Sequence, residues 1–468
     1  MMTISIQTLG CKLNQLESEA LAEAFEKEGF RLVSGDDGAD LYIINTCTVT
    51  SKAEQKARRI IRKAYRDYPE SCVIITGCYA QLKPEELAKI ENASTGSGTA
   101  SNTEQKRIFV VSGDHKSRIL DLPKFIMQSA VSPWEIPLAM ERWMQHDDDI
   151  ALEDRFRFNA NSFSNHSRAF LKIQDGCNNA CTFCAVHFAR GKSVSLDSDE
   201  LLRRLQALEA RGYGEAVLTG VNINQYDDGK NNFSRLLNIL LEGTNRIALR
   251  ISSIEPDLIN ADFLDVIAHP RIRPHFHLSV QSGSDAILKT MRRRYTAQQV
   301  LHAIEKLREV KDDPFIACDI ICGFPGEDDK AFDETFTLCE QAAFSWIHAF
   351  PFSPRPGTDA ARLPHHVPER TSVLRVERLI QLAEKTREEY IKRNVGRCVD
   401  IIIENHAEKS AYAAGITENY LRVSIPLSGN EVLKPGMTVR GKIISPFNSE
   451  DTDDARIDAA AAFIHSFR

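Results

Sequence analysis

The spacing of hydrophobic and polar positions changes character along the chain. From Thr3 to about Ile90, short apolar runs alternate with helical patterns: ISIQTLGC, a helix from about Gln15 to Glu28, LYIINTC, a helix from about Ser51 to Arg66, CVIITGC and PEELAKI. Strands separated by helices of this length predict right-handed βαβ crossovers and a parallel sheet, with every strand-to-helix turn at one edge. The Ser-, Gly- and Thr-rich stretch 94–104 reads as an inserted loop, after which RIFVVSGD resumes a strand. A second series begins at Arg168 with six strand candidates: AFLKIQDG, EAVLTGV, IALRISS, HFHLSV, FIACDIICGF and WIHAFPF. Helical patterns separate them, and a long helix from roughly Arg370 to Arg393 follows the last. Six parallel strands predict a partial (β/α)6 barrel, short of the eight units of a complete one. After Gly396 the period falls to two, in CVDIIIE, YLRVSIP and MTVRGKII, which predicts a small β-barrel. The expected class is α/β, with an α/β unit at 1–132, a linker at 133–164, the partial barrel at 165–394, the small barrel at 395–446 and a tail at 447–468. The tail is Ala-rich and acidic, and is expected to be frayed or weakly helical.

A length of 468 residues fits about three domains. With 43% hydrophobic and 26% charged residues the composition is that of an ordinary soluble enzyme, and no stretch approaches the roughly 20 apolar residues of a membrane span. The start, MMTISIQTLG, has neither a basic region nor an apolar signal core, so a cytoplasmic location without a membrane partner is expected. Thiols stay reduced there. An odd count of eleven cysteines therefore directs attention to metal binding rather than to disulfides. The net charge of -7 is unevenly placed: residues 147–154 and 447–468 hold eight excess negative charges, leaving about +1 for the rest. Bulk acidity thus does not argue against an RNA partner.

Cys177, Cys181 and Cys184 form C-x3-C-x2-C in DGCNNACTFC, directly after the first barrel strand. Three thiolates within eight residues can fold around one iron–sulfur cubane and leave one iron open to a ligand. Structural zinc with His187 as a fourth ligand is the rival. Cys11, Cys47 and Cys78 are far apart in sequence, yet each follows an apolar strand run, in TLGC, INTC and ITGC. Parallel topology should bring these three thiols together at one sheet edge.

These features resemble the methylthiotransferases, radical S-adenosylmethionine enzymes. The likeness runs through TLGCKLNQLESE, NTCTVT, GCYAQ, FLKIQDGCNNACTFC, ARGKS, LTGVNI, ISSIEP, HLSVQSGSD and DIICGFPGE, and GITENYLRV resembles the RNA-associated TRAM barrel that closes such chains. The resemblance implies two 4Fe-4S clusters, an auxiliary one on Cys11, Cys47 and Cys78 and a radical-generating one on Cys177, Cys181 and Cys184, together with S-adenosyl-L-methionine. It implies a tRNA substrate reached at the anticodon loop, and an electron donor protein such as a flavodoxin or ferredoxin. The radical would take hydrogen from C2 of a modified adenine, and sulfur held at the auxiliary cluster would replace it. CKLNQ and TENYLRV are similar to the branch acting on threonylcarbamoyladenosine. Isopentenyladenosine or a ribosomal protein as substrate, and a non-catalytic zinc-stabilised RNA-binding protein, are the alternatives. His187 stands where Pro is common in the family, and KSVSLDSDE replaces a more basic stretch.

By the same resemblance, residues at barrel strand ends should cradle S-adenosylmethionine: Thr219, Gly220 and Asn222, Ser253 and Glu255, Gln281, and Gly323 and Gly326. Each could instead cap a helix or shape a turn. The segment Thr50–Arg66 carries Lys52, Lys56, Arg58, Arg59, Arg62, Lys63 and Arg66 against Glu54 alone, as a phosphate-binding helix or a solvated face would. Arg292, Arg293 and Arg294 form a second basic run. Six basic and five acidic residues in the small barrel are too even to indicate RNA, and Tyr412 and Tyr420 either stack on bases or pack. Cys318 and Cys322 lie about 13 Å apart along an apolar strand, too far for one metal, and are expected in the core, as is Cys339. Cys72 and Cys398 begin strands and have no evident partner.

Overall fold

The computed structural model describes residues 1–94, 106–145, 155–160, 163, 167–405, 412–427, 433–446 and 457–466. The expected 94–104 loop and the acidic cluster at 147–154 therefore fall almost wholly outside the described residues. Strands β1 (Thr3–Thr8), β2 (Arg31–Leu32), β3 (Leu41–Thr46), β4 (Cys72–Gly77) and β5 (Ile108–Val110) form one parallel sheet in the order β2-β1-β3-β4-β5. β3 and β4 are buried at every position, as strands covered on both faces by helices must be. The helices are α1 (Lys12–Lys27), α2 (Ser51–Asp67), α3 (Cys78–Leu82) and α4 (Pro84–Ser94), followed by α5 (Leu122–Ser129) and α6 (Ile136–Met144).

α6 corrects the expected linker. Its Ile136, Ala139, Met140 and Trp143 recur at helical spacing and are buried, and Arg118 lies over the Trp143 ring, so this segment belongs to the first domain's core. The acidic residues that follow it obscured that apolar stripe.

The second series folds as expected into six parallel barrel strands. They are β6 (Ala169–Lys172), β9 (Glu215–Thr219), β10 (Ala248–Ile251), β12 (His275–Gln281), β13 (Phe315–Cys322) and β14 (Trp346–Pro351), with β7 (Gln174–Asp175) and β8 (Val194–Ser195) as a short antiparallel pair beside the first. The third run is broken at Ser252. β11 (Ser253–Ile254) continues it but pairs with β12, so the wall consists of two sheets, β10-β9-β6 and β11-β12-β13-β14. Helices α7 (Val186–Arg190), α8 (Ser198–Ala210), α9 (Phe233–Glu242), α10 (Ala261–Ile267), α11 (Asp285–Thr290), α12 (Ala297–Val310), α13 (Asp329–Ala342) and α14 (Glu369–Asn394) complete it. Among the described residues no helix is long and apolar enough to cross a membrane.

The small barrel is closed, in the order β15-β16-β17-β19-β18, with β15 (Cys398–Asn405), β16 (Tyr412–Thr417), β17 (Arg422–Pro426), β18 (Thr438–Pro446) and β19 (Ala459–Ser466). β19 overturns the expectation of a frayed or weakly helical tail. Its alanines favour helix locally, but Ala459 and Ala461 are fully buried, and pairing with both β17 and β18 removes the two edges that an open sheet would leave. Asp458 secures the strand's start through two hydrogen bonds from Arg387 of α14, at 2.8 and 2.7 Å.

This barrel seats against the far end of the larger one through buried charges. Glu215 receives Arg250 Nε (2.6 Å), Arg250 Nη2 (2.9 Å) and Arg273 Nε (3.0 Å), while Arg273 also reaches Asp400 and Arg168 reaches Glu404. Tyr420 is packed there, 4.0 Å from the His275 ring and 5.1 Å from the Arg250 guanidinium, so it fills an interface rather than stacking on bases.

Burial alone would raise the Glu215 carboxyl, but Arg250, Arg273 and Arg168 bring it down to about 2. A carboxyl lowered in the folded state contributes stability above its unfolded value near 4.5, and that contribution disappears as pH falls towards about 2. The contribution amounts to about 3 kcal/mol. Glu215→Gln should therefore destabilise the protein at pH 7 and flatten the pH dependence of denaturant unfolding between pH 5 and pH 3. An unchanged pH dependence would remove Glu215 from this role.

Candidate active site

Cys47 and Cys78 each stand one residue beyond a register pair, Thr46 with Gly77, on adjacent parallel strands. β1 runs beside β3, and Gly10 turns the chain so that Cys11 meets the other two. The approach is tight enough to demand glycine: at Gly10 (φ +104°) a Cβ would lie 2.7 Å from the Cys47 sulfur, and at Gly77 (φ +96°) 2.3 Å from the Thr46 carbonyl. Cys11 and Cys78 both lie within electrostatic range of Cys47. Burial pushes the Cys47 thiol up to about 11, with Cys78 and Cys11 adding to the rise. Burial likewise raises Cys78, against the opposing charge of Arg190.

The second set lies on the loop after β7. Backbone N–H groups donate to sulfur here, Asn179 to Cys177 and Val186 to Cys184, each at 3.4 Å, and Arg293 Nη1 donates to Cys181 at 3.4 Å. Burial pushes the Cys184 thiol up to about 12. In both sets burial disfavours a free thiolate while donors point at the sulfurs, so bound iron would supply the missing positive charge. The donor sets suit cubanes with three thiolates each. Among the described residues no three Cys, His, Asp or Glu side chains close around a single-ion position. Thiolates on separate corners of a cubane need not do so, because each binds its own iron.

Of the expected cradle, Asn222 and Glu255 are drawn into this second pole. Glu255 Oε1 accepts from Asn179 Nδ2 (3.0 Å), Asn222 Nδ2 (3.1 Å) and Arg293 Nη1 (3.1 Å), and Asn222 Nδ2 lies 3.8 Å from the Cys177 sulfur. Burial raises the Glu255 carboxyl, and Arg293 opposes it. Gly220 admits Gln174, whose Oε1 accepts from the N–H groups of Val221 (3.0 Å) and Asn222 (2.9 Å); a Cβ on Gly220 would lie 2.8 Å from that oxygen. Thr219 ends β9 and accepts from Ile173 N. Gln281 ends β12 at φ +71°, next to a register shift. Ser253 begins β11. Gly323 and Gly326 behave otherwise: the Gly323 N–H donates to Glu327 and a Cβ would strike Ser372 of α14, while Gly326 N–H donates to His365. Gly323 is thus packed against α14, and Gly326 bonds the loop that precedes that helix. Cys318, Cys322 and Cys339 are core residues, as expected.

Several residues that matter here escaped the sequence reading. Arg293 sat inside a basic run, yet it turns inward between Arg292 and Arg294, which stay exposed. Arg190, in the ARGKS motif, joins the two poles. Its Nη1 donates to Glu17 Oε1 (3.0 Å) and to both Asp175 oxygens (3.2 Å each), and its Nη2 to Asn14 Oδ1 (2.8 Å) and Glu17 Oε2 (3.3 Å). Its charge also opposes the rise of the Cys78 thiol. Lys116 and Lys172 complete the cluster, Lys172 reaching Asp175 at 2.6 Å and Lys116 reaching Asn45 at 2.8 Å. Burial would raise Glu17, but Arg190, Lys116 and Lys172 hold it well below the usual carboxylate range. Glu17, Cys78, Lys116, Lys172, Asp175 and Arg190 line a cavity of about 40 Å³ at this seam. The one clue in the sequence was spacing: Asn14 and Glu17 share the helix face that starts at Cys11.

α2 presents Lys52, Lys56, Arg59 and Arg62 to solvent, and none of them forms an ion pair among the described residues. Its first acid, Glu54, is buried: it accepts from Thr48 (2.6 Å) and Lys83 (3.0 Å) and pairs with Arg355 of the barrel domain, while the other, Asp67, ends the helix and pairs with Arg66.

Residues 171–339 match the Radical SAM superfamily, and residues 3–96 match Uncharacterized protein family UPF0004. The threonylcarbamoyladenosine tRNA methylthiotransferase MtaB of Treponema pallidum is 40% identical, over 95% of this chain and 98% of that protein, and its namesake from Bacillus subtilis is 35% identical, over 90% of each. A tRNA-2-methylthio-N(6)-dimethylallyladenosine synthase of Porphyromonas gingivalis is 30% identical, over 86% of this chain and 85% of that protein. Among solved structures, the radical S-adenosylmethionine methyltransferase TsrM of Kitasatospora setae superposes with a TM-score of 0.50 at 14% identity, covering 77% of each chain. That likeness is one of fold.

Arg190→Met should cost on the order of 3 kcal/mol of stability in urea unfolding, because it leaves two buried carboxylates short of a partner. Arg190→Lys should recover only part of the loss, since an ammonium cannot span Asn14, Glu17 and Asp175 together. A loss below about 1 kcal/mol would place the network among weak surface pairs.

Proposed function

The chain belongs to the tRNA methylthiotransferases of the radical S-adenosylmethionine superfamily, and we propose that it adds a methylthio group to C2 of N6-threonylcarbamoyladenosine next to the tRNA anticodon. The observation that carries this reading is the placement of two three-cysteine sets, on different domains, beside one guanidinium that bonds residues flanking both. Two 4Fe-4S clusters and S-adenosylmethionine, when bound, supply the electron, the hydrogen-abstracting radical and the sulfur that the side chains themselves lack.

The chain's own residues do the holding. Cys11, Cys47 and Cys78 would ligate the sulfur-presenting cluster, and Cys177, Cys181 and Cys184 the electron-delivering one. Asn179, Asn222 and Arg293, converging on Glu255, hold the second loop rigid and leave its open side towards the strand ends where Thr219, Gly220, Ser253 and Gln281 lie. Gly323 and Gly326 bound that rim from the α14 side. α2 would meet the phosphates of the anticodon arm, whose looped-out base costs less to splay than one in a duplex. An electron donor protein of flavodoxin or ferredoxin type, acting in the cytoplasm, completes the reading.

Mass spectrometry of tRNA nucleosides from a strain lacking this gene should show methylthio-threonylcarbamoyladenosine replaced by its unthiolated precursor. An unchanged level would refute the assignment, and loss of the methylthio-isopentenyl nucleoside instead would move the substrate to that base. Replacing Lys52, Lys56, Arg59 and Arg62 with Ala should weaken tRNA binding and flatten the slope of log K against log salt by about 0.7 for each phosphate that is no longer neutralised. Fluorescence anisotropy with labelled tRNA measures this, and an unchanged slope would return α2 to the status of a solvated face.

A further inference from the structure

Lys12 follows Cys11 directly and is the first residue of α1. It is half-buried, and among the described residues its ammonium makes neither a hydrogen bond nor an ion pair. It lies within electrostatic reach of Tyr420, Arg168, Arg250 and Glu215, and its charge is felt at His275 and His348. Glu215, Arg250, His275 and His348 stand on β9, β10, β12 and β14. Lys12 therefore reaches from the first domain into the interior of the larger barrel.

That interior is polar and short of acceptors. His277 Nε2 lies 3.0 Å from Asp319 Oδ1, and the His277 and His348 rings are 5.1 Å apart. Arg250 is fully buried with its Nη1 unpartnered, and His275, 3% exposed, has an unpartnered Nδ1. Glu215 serves Arg250 and Arg273 at once. Arg250 is thus paired through two of its nitrogens, whereas the Lys12 ammonium has no counter-charge, and a partly buried cation is normally matched by one. An anionic group carried by a bound substrate could supply that counter-charge.

We infer that Lys12 is a specificity-determining residue that binds the carboxylate of the threonylcarbamoyl group on the target adenine. The inference rests on the substrate proposed above and names the group that reads it. The base must place C2 beside the pole formed by Cys11, Cys47 and Cys78. N6 lies across ring atom N1 from C2, so its substituent extends past the residue adjoining Cys11. A threonylcarbamoyl substituent ends in a carboxylate and can satisfy the ammonium, whereas an isopentenyl substituent ends in methyl groups and would leave a sequestered cation unpaired. A site built for a charged partner rejects an analogue lacking it far more strongly than an apolar pocket rejects an extra group.

The test is equilibrium binding of full-length protein to an anticodon stem-loop RNA carrying N6-threonylcarbamoyladenosine, compared with the same RNA whose carboxylate is a methyl ester. The unsubstituted protein should prefer the acid by roughly tenfold or more. Lys12→Met should bring the acid-to-ester ratio towards one, and Lys12→Arg should keep most of the preference. Lack of an acid preference in the unsubstituted protein overturns the inference without reference to any variant, as does a Lys12→Met protein that retains the preference. The nucleoside analysis separates the two levels. If the methylthio nucleoside is lost in the deletion strain but Lys12 does not affect the ratio, only the role of Lys12 fails; if the nucleoside persists, the reading of the substrate fails.

Discussion

The buried guanidinium of Arg190 is the contact on which the arrangement of the rest depends. Two thiol sets on separate domains are useful together only at a fixed separation, and neither loop contains anything that could set it. Arg190 ends the helix that follows Cys184, Asp175 lies two residues before Cys177, and Asn14 and Glu17 lie on the helix that begins after Cys11. One planar fork thus touches the flank of both poles. A lysine offers a point charge with no preferred plane and could not impose that geometry. Lys116 and Lys172 leave the cluster with more cationic than anionic groups, a bias that suits a neighbourhood of thiolates.

What could be read from the chain follows from the range of the physics involved. Cys11, Cys47 and Cys78 were legible because parallel pairing sends every strand end to one edge, and Cys177, Cys181 and Cys184 because their spacing is local. Arg190, Glu17 and Arg293 were not, because the partner of a buried charge is set by tertiary packing and leaves no periodic trace. The tail strand was missed for a related reason. Alternation of burial along Ala459–Ala462 carries almost no hydrophobic contrast in a run of one residue type, so helix propensity was the only signal, and barrel closure overrode it. The break at Ser252 is similar: IALRISS reads as one strand, and only sheet curvature divides it.

The even charge of the small barrel also has a structural explanation. Asp400 is taken by Arg273 and Arg440, and Glu404 by Arg168. Several of its charges are thus spent within the protein, seating the domain against the barrel's far end, and composition could say nothing about RNA from that domain. Tyr420 completes the seat. The unpaired positive charge lies elsewhere, on α2, where four cations at helical spacing face solvent.

That distribution puts a cationic face and a cysteine of the first set on one short stretch of chain. Cys47 ends the run after β3, and α2 starts four residues later with Thr50 as its cap, donating nothing but accepting from Ala53 N at 3.1 Å. Glu54, the acid nearest the helix start, is withdrawn from the surface to hold Thr48, Lys83 and Arg355, and the Ser51 N–H donates to Ser353 at 3.1 Å. Burying that acid takes a negative charge off the cationic face, and its contacts pin the helix start to the barrel domain. The start of α2, four residues past Cys47, is thereby tied to the barrel domain, and holding the two domains together before a substrate binds leaves less ordering to be done afterwards.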